Sequence, residues 1–417
     1  MSRHFQNSFP EYSAEVSKDI LDVSAGGAKI TSEYRKTLLK VIDELQAVIE
    51  QNTKQWRSNS DVSVYTGVAG QAVMLLQRYY TLDDNSALQK AEELVAICLQ
   101  SVGRSSKTRV TYLCGDAGPL TCAALTAQAA GGTGPLGTPD QYIDRLLSLS
   151  ESVVKGSHGL PDELLYGRVG YIYSLLLLHR SKVSSSSRIA AVLPSICEAV
   201  LKSGEKLAGA AWPPASCPLM YEWHGKRYYG AAHGIAGILI VLMQARDYLP
   251  PGALETLIRP SVDYMQRQLF PSGNLPSSEG SGSGDKLVHW CHGAPAAVLL
   301  FAMAYKVFES TQYLQAARKC CAVVWQRGLL KKGYGLCHGS AGNAYCFLYM
   351  YQVTGEAEYL YQACQFGSWC QQYGEHGCSV PDRPYSLFEG LAGNMHFLLD
   401  LTRVDQAVFP GLILPLA

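Results

Sequence analysis

Two short runs in this sequence pair side chains that can do chemistry together: HWCHG at 289–293 and CHG at 337–339. Each sets a cysteine beside a histidine, directly before a glycine. Adjacent side chains on a helix diverge by about 100°, so such a pair serves a single point only from a loop or a helix end. Thiolates and imidazoles together are a zinc donor set. Cys291, Cys337 and His338 would supply two sulfurs and one nitrogen, leaving a fourth place for water or substrate, as in a catalytic zinc site. His292 has the same relation to its glycine as His338, and including it gives a closed Cys2His2 site instead. Neither CxxC nor HExxH occurs, so the spacing alone fits metal-free buried thiols equally well.

The elements that must position these residues announce themselves as a repeat. TGVAG, CGDAG, YGRVG, HGIAG, HGAPA, HGSAG and EGLAG place their first glycines at 67, 115, 167, 234, 293, 339 and 390. The intervals of 48, 52, 67, 59, 46 and 51 residues each accommodate one helical hairpin, and they are too irregular for an open solenoid of identical units. After each element comes an apolar stretch such as QAVMLLQRYY or NAYCFLYMYQV, then an amphipathic one. Tyr313, Leu314 and Ala317 recur 46 places on as Tyr359, Leu360 and Ala363, matching the spacing of Gly293 and Gly339. Alternating strand patterns are few, whereas Leu88, Ala91, Leu94, Val95 and Cys98 keep helical spacing.

The expected fold is therefore all-α: seven helical hairpins closed into an α/α toroid, with apolar helices inside, amphipathic ones outside, and the glycine turns around one mouth. Residues 1–417 are expected to form a single domain with an extended N-terminal tail over about residues 1–30. Stretches 131–140, 181–188 and 276–285 read as surface loops from their Gly, Ser and Pro content. In such a ring, equivalent positions of adjacent repeats lie side by side. Thr66, Cys114, Tyr166, His233, His292, His338 and Glu389 occupy the place before the first glycine, and Cys291 and Cys337 the place before that. Cys291, Cys337 and His338 then converge on one ion.

Composition narrows the partners. Lys plus Arg and Asp plus Glu both number 35, which offers no electrostatic case for nucleic acid or an anionic membrane. The 13 cysteines are odd in number and many lie in apolar helical runs, unlike a disulfide framework. The start MSRHFQNSFPEY has no apolar signal region, Ser2 stands where myristoylation needs glycine, and no apolar run approaches a membrane span. No transmembrane segment is expected, and the setting is read as cytoplasmic and reducing, with peripheral membrane or nuclear association left open.

LVHWCHGAP (287–295), KKGYGLCHGSAGNAY (331–345), YYGAAHGIAG (228–237), YGRVGYIY and SLFEGLAG resemble the lanthionine synthetase C-like (LanC-like) proteins, eukaryotic relatives of the bacterial lanthipeptide cyclases. The resemblance runs almost end to end. It implies a double-layered seven-helix barrel with one zinc at its central mouth, on the residues matching Cys291, Cys337 and His338, with His292 unliganded. It also implies glutathione as co-substrate, its thiol transferred to electrophiles that include dehydroalanine and dehydrobutyrine residues in proteins. His233, at the equivalent place one repeat earlier, then suits the proton donor to the enolate left by thiol addition. Glu163 stands where the cyclases carry an aspartate and either orients His233 or acts on the substrate. Glutathione bears two carboxylates, which cations should meet. Family correspondence points to Lys332, Arg3 and the segment Ser379, Val380, Pro381 and Asp382. The family arginine at the first place of that segment is Ser379 here, with Arg383 four residues on.

Plainer readings stand beside these. Lys332 follows Lys331 and fits a solvated basic pair. Asp116 and Glu389 fit caps or turns, and Glu163 fits a carboxylate accepting backbone N–H groups. Two functions remain: a zinc enzyme adding glutathione to activated alkenes, or a glutathione-binding scaffold that recruits signalling proteins, for which Pro381–Tyr385 offers a docking loop. An open zinc position favours the enzyme.

Overall fold

The structure is a computed structural model and describes residues 2–24, 27–57, 60–104, 109–183, 185–210, 217–282 and 284–415. Fourteen of the described helices form two concentric layers. They are α1 (Ser32–Gln51), α2 (Val68–Leu82), α3 (Asn85–Leu99), α4 (Ala117–Ala129), α5 (Asp140–Leu147), α6 (Arg168–Arg180) and α7 (Ser186–Gly209). The series continues with α8 (Ile235–Gln244), α9 (Arg259–Arg267), α10 (Ala294–Phe308), α11 (Thr311–Arg327), α12 (Ser340–Thr354), α13 (Ala357–Gln371) and α14 (Leu391–Leu401).

Burial separates the layers as the apolar patterns require. Every residue of α8 and α14 is buried, so even-numbered helices lie inside. In α1 only Tyr34, Leu38, Ile42 and Ile49 are buried, one stripe of an otherwise polar helix. Each inner helix packs on the next, and α14 closes the ring against α2. The expected all-α toroid of seven hairpins is what forms. The seventh pair is assembled differently from the rest: α14 takes its outer partner from the other end of the chain, α1. The Tyr34 hydroxyl ties that helix to the Cys364 carbonyl at 2.6 Å.

The N-terminal tail is extended only to about residue 13. There Ser13 caps the short helix Ala14–Ser17, and Leu21–Ser24 pairs antiparallel with Gly27–Ile30, the one sheet among the described residues. Ahead of that turn, Phe5 packs on Trp369 and Phe9 on Trp325 along the outside of the ring. After α14 the chain enters the bore. Phe409 stacks on Trp290 at 4.9 Å, and Gln244 of α8 bonds both the Leu412 carbonyl and the Leu414 N–H at 2.8 Å. All thirteen cysteines are free, and no described helix is long and apolar enough to cross a membrane.

The glycine pairs let each incoming loop lie directly on the first turn of its helix. A Cβ on Gly342 would sit 1.8 Å from the Leu336 carbonyl oxygen. In the fifth repeat Ala296 replaces the second glycine, and there Gly293 adopts φ 127°, ψ −163°, a conformation that side chains exclude. Asp116 serves as a turn residue, accepting the Gly103 N–H at 2.9 Å. Glu389 is likewise a turn residue, its N–H donating to Ser386 Oγ at 3.2 Å just before Gly390, the N-cap of α14.

Gly342→Ala is expected to destabilise the protein by at least about 2 kcal/mol, because backbone rather than a flexible side chain must move. Gly209→Ala, where the described residues leave open space, should change stability by less than about 1 kcal/mol. Denaturant midpoints of the two variants measure the contrast.

Candidate active site

Backbone hydrogen bonds pass from repeat to repeat around the mouth. The Cys291 N–H donates to the Cys337 carbonyl (3.3 Å), Cys337 to Phe388 (2.8 Å), Phe388 to Tyr65 (3.0 Å) and Tyr65 to Leu113 (2.9 Å). All five residues stand two places before the first glycine of their repeat. The fourth repeat's loop joins by close approach: a Cβ on Gly230 would lie 1.9 Å from the Cys291 carbonyl oxygen. Equivalent positions are therefore neighbours, and the two cysteines lie on adjoining loops.

The Sγ atoms of Cys291 and Cys337 and a ring nitrogen of His338 lie within 4.8 Å of one another. Tetrahedral zinc, with Zn–S about 2.3 Å and Zn–N about 2.0 Å, spaces its ligand atoms roughly 3.5–3.8 Å apart. A small closure of side chains suffices. Both cysteines are buried and His338 is half-buried. Adjacent Cys291, and then burial, push the Cys337 thiol well above its ordinary range. Two buried sulfurs side by side shed their protons only with a cation between them, so the donor chemistry fits zinc.

His292 lies outside this group. Its Nδ1 is buried without a partner among the described residues, and its ring packs 5.6 Å from Tyr228. Burial, then His233, lower its pKa to about 4. The group that could hold a metal therefore comprises three donors, Cys291, Cys337 and His338.

Glu163 is 3% exposed and accepts three hydrogen bonds: the backbone N–H groups of Leu165 (3.0 Å) and Tyr166, and Nδ1 of His233 at 2.7 Å. Two of the three roles suggested for it, backbone acceptor and orienter of His233, are therefore filled at once. A carboxylate only accepts, so Nδ1 carries the ring proton and Nε2 is left for chemistry. Aromatic rings wall the imidazole: Tyr166 (6.0 Å, 8° between planes), Trp223 (6.1 Å, 17°) and Tyr228 (5.9 Å, 50°). Tyr228 faces both His233 and His292 and so joins the imidazole to the cysteine side.

The residues expected to meet glutathione are drawn together by a second set of backbone bonds. Phe5 donates to Leu329 (2.8 Å), Lys331 to Arg3 (3.1 Å) and Ser379 to Lys331 (2.8 Å). Arg3, Lys332, Ser379, Asp382 and Arg383 are exposed on this rim, Pro381 is half-buried, and Val380 is 82% exposed. The basic pair divides. Lys331 lies over the Phe5 ring at 5.6 Å, whereas Lys332 and Arg3 help to lower the pKa of His289, which burial first and His338 second bring to about 3. His289 sits 6.2 Å from the His338 ring, so the rim cations border the Cys-Cys-His cluster.

Four residues here escape sequence reasoning. Tyr65 shares the cysteines' register, and burial followed by Cys337 and Cys291 raises its hydroxyl pKa well above the usual range. That register was the available signal. His289 lay within the HWCHG run itself. Trp223 and Tyr228 stand outside the repeat, on a tight turn through His224 (φ 49°) and Gly225 (φ 70°).

A closed α/α ring with a Cys-Cys-His cluster at its glycine-lined mouth defines a class of protein, and the chain belongs to the lanthionine synthetase C-like family, whose profile matches residues 58–414. It is 42% identical over 409 residues to the protein named glutathione S-transferase LANCL1 of Danio rerio, covering 98% of both chains. It is 36% identical over 364 residues to LanC-like protein GCL1 of Arabidopsis thaliana, covering 84% of this chain and 81% of that one. Nisin cyclase shares the fold, with a TM-score of 0.66 at 15% identity over 87% of this chain and 94% of its own.

Long-range 1H–15N spectra of the histidines should show His233 protonated at Nδ1 and bare at Nε2 at neutral to mildly alkaline pH. Glu163→Ala should shift that ring toward the other tautomer. An Nε2–H tautomer in the unaltered protein would contradict the assignment.

Proposed function

We propose that the chain is a zinc-dependent glutathione transferase that adds the glutathione thiol to dehydroalanine and dehydrobutyrine residues in proteins. The observation that carries this reading is a three-donor Cys-Cys-His cluster with a fourth place open, on the same mouth as an imidazole oriented by a buried carboxylate. The name and 98% coverage of the Danio rerio relative support the glutathione part.

Zinc bound to Cys291, Cys337 and His338 would hold the incoming thiol as a thiolate, which at neutral pH a thiol of pKa ~8.5 mostly is not. Arg3 and Lys332 offer charge to the two carboxylates of the tripeptide, and the exposed loop 379–382 borders them. As sulfur bonds to the alkene β-carbon, the π pair moves to the α-carbon and carbonyl as an enolate. His233, having taken the thiol's proton at Nε2, delivers it to the α-carbon, so the addition is balanced and nothing is expelled. Glu163 stabilises the transient imidazolium through Nδ1–H. Tyr166, Trp223 and Tyr228 restrict the ring and keep water from the enolate.

Purified protein is expected to contain one zinc per chain by elemental analysis, with the metal lost on Cys337→Ala. Folded wild-type protein without zinc would end the metal assignment.

Protein, glutathione and a dehydroalanine peptide should give a thioether adduct by mass spectrometry, formed about 10²- to 10⁴-fold more slowly by His233→Ala. An equal rate in that variant removes His233 as proton donor. Wild type no faster than buffer would leave the glutathione-binding scaffold, with its signalling partners, as the better description.

A further inference from the structure

The bore-filling segment leaves space at the end of the ring away from the mouth. A cavity of about 470 Å³ lies between the C-terminal halves of α2, α4 and α6, with α14 and residues 408–415 closing it. Its walls are largely hydrocarbon, from Val73, Leu76, Leu125, Leu177, Val408 and Pro410. That size and character are those of a small-molecule site, where one or two polar groups set the orientation.

His396 lines this cavity and is only 2% exposed. Its Nδ1 lies 2.8 Å from the Tyr345 hydroxyl, which donates its single proton to Asp400 at 2.8 Å. Asp400 also accepts from the Val408 N–H at 3.1 Å and from Gln77. While Asp400 is ionised it takes the tyrosine proton, so Nδ1 carries the imidazole proton and Nε2 keeps its lone pair. No partner for Nε2 exists among the described residues. Burial holds the ring neutral, with its pKa lowered to about 3. The ring's described hydrogen bond is made through Nδ1 alone, so Nε2 is an acceptor facing a largely hydrocarbon cavity, and a ligand that supplies a donor there gains a hydrogen bond. The fixed direction of the relay also selects the ligand. A carboxylate would bring negative charge toward a lone pair backed by Asp400, whereas a hydroxyl fits.

We propose that this far-end cavity binds a small apolar alcohol or phenol, its hydroxyl donating to Nε2 of His396 and its hydrocarbon body packed between α2, α4 and α6. The site is separate from the mouth and does not rest on the chemistry proposed there.

The test is titration of the full chain with 2-naphthol, followed by the naphthol's own fluorescence, at pH 8, above the value of about 7 to which burial raises Asp400. 2-Methoxynaphthalene is the matched probe that cannot donate. One naphthol should bind per chain, about tenfold more tightly than the ether. Ala129→Trp, which pushes an indole into the cavity from the end of α4, should abolish binding of both probes without changing the melting temperature of the mouth-intact protein; if it misfolds, Ala129→Phe serves the same purpose. His396→Leu should reduce naphthol affinity to that of the ether and leave the ether unchanged. Absence of saturable binding to wild type, equal affinities for the two probes, or naphthol binding that survives a folded cavity-filling variant would each overturn the proposal.

Discussion

The mouth depends on a relay of main-chain hydrogen bonds from Cys291 to Cys337, Phe388, Tyr65 and Leu113. Because each partner occupies the same place in its own repeat, the relay works like a sheet ladder bent across helix ends. It sets the separation of neighbouring loops without using their side chains. Those side chains are then free to differ, and two of them are thiols. The glycines make the relay possible: where Ala296 interrupts the pattern, Gly293 changes conformation and the Cys291 loop still reaches its neighbour. A donor cluster built this way draws its rigidity from backbone, the part of a protein least altered by substitution.

Charge is arranged around that frame in sectors. The sulfurs of Cys291 and Cys337 and the buried Glu163 are potential anions on two sides of the mouth, each with its own compensation. The Glu163 carboxylate is held by two backbone N–H groups and an imidazole, so it orients His233 without needing water. Arg3 and Lys332 form a cationic rim supplied partly by the N-terminal tail, which main-chain bonds fasten to residues 329–331. His289 and His292, both held neutral by burial, lie between these sectors and add no charge of their own.

Legibility in the sequence followed periodicity. The seven glycine elements and their apolar followers exposed the ring, and the shared offset of Cys291 and Cys337, with His338 next to the latter, placed the cluster on it. Features outside that period were not legible. α1 reads as one more amphipathic helix, and nothing local says that it covers α14, because ring closure is a long-range contact. Val408–Leu414 reads as an apolar tail, yet it fills the bore, since only the assembled ring defines a space to fill. Trp223 and Tyr228 reach His233 from a turn outside the glycine elements. The pairing of Glu163 with His233 joins residues 70 apart, and their register suggested proximity without showing which atom bonds to which.

The threading of Phe409, Leu412 and Leu414 through the centre of the ring orders events during synthesis. Trp290 and the inner face of α8 leave the ribosome more than a hundred residues before the segment that covers them. Until then the nascent toroid carries a greasy hole. Chaperone occupancy should persist through translation of the seventh inner helix and end when the plug seats, and a bulky fusion placed directly behind Pro415 would hinder that last move.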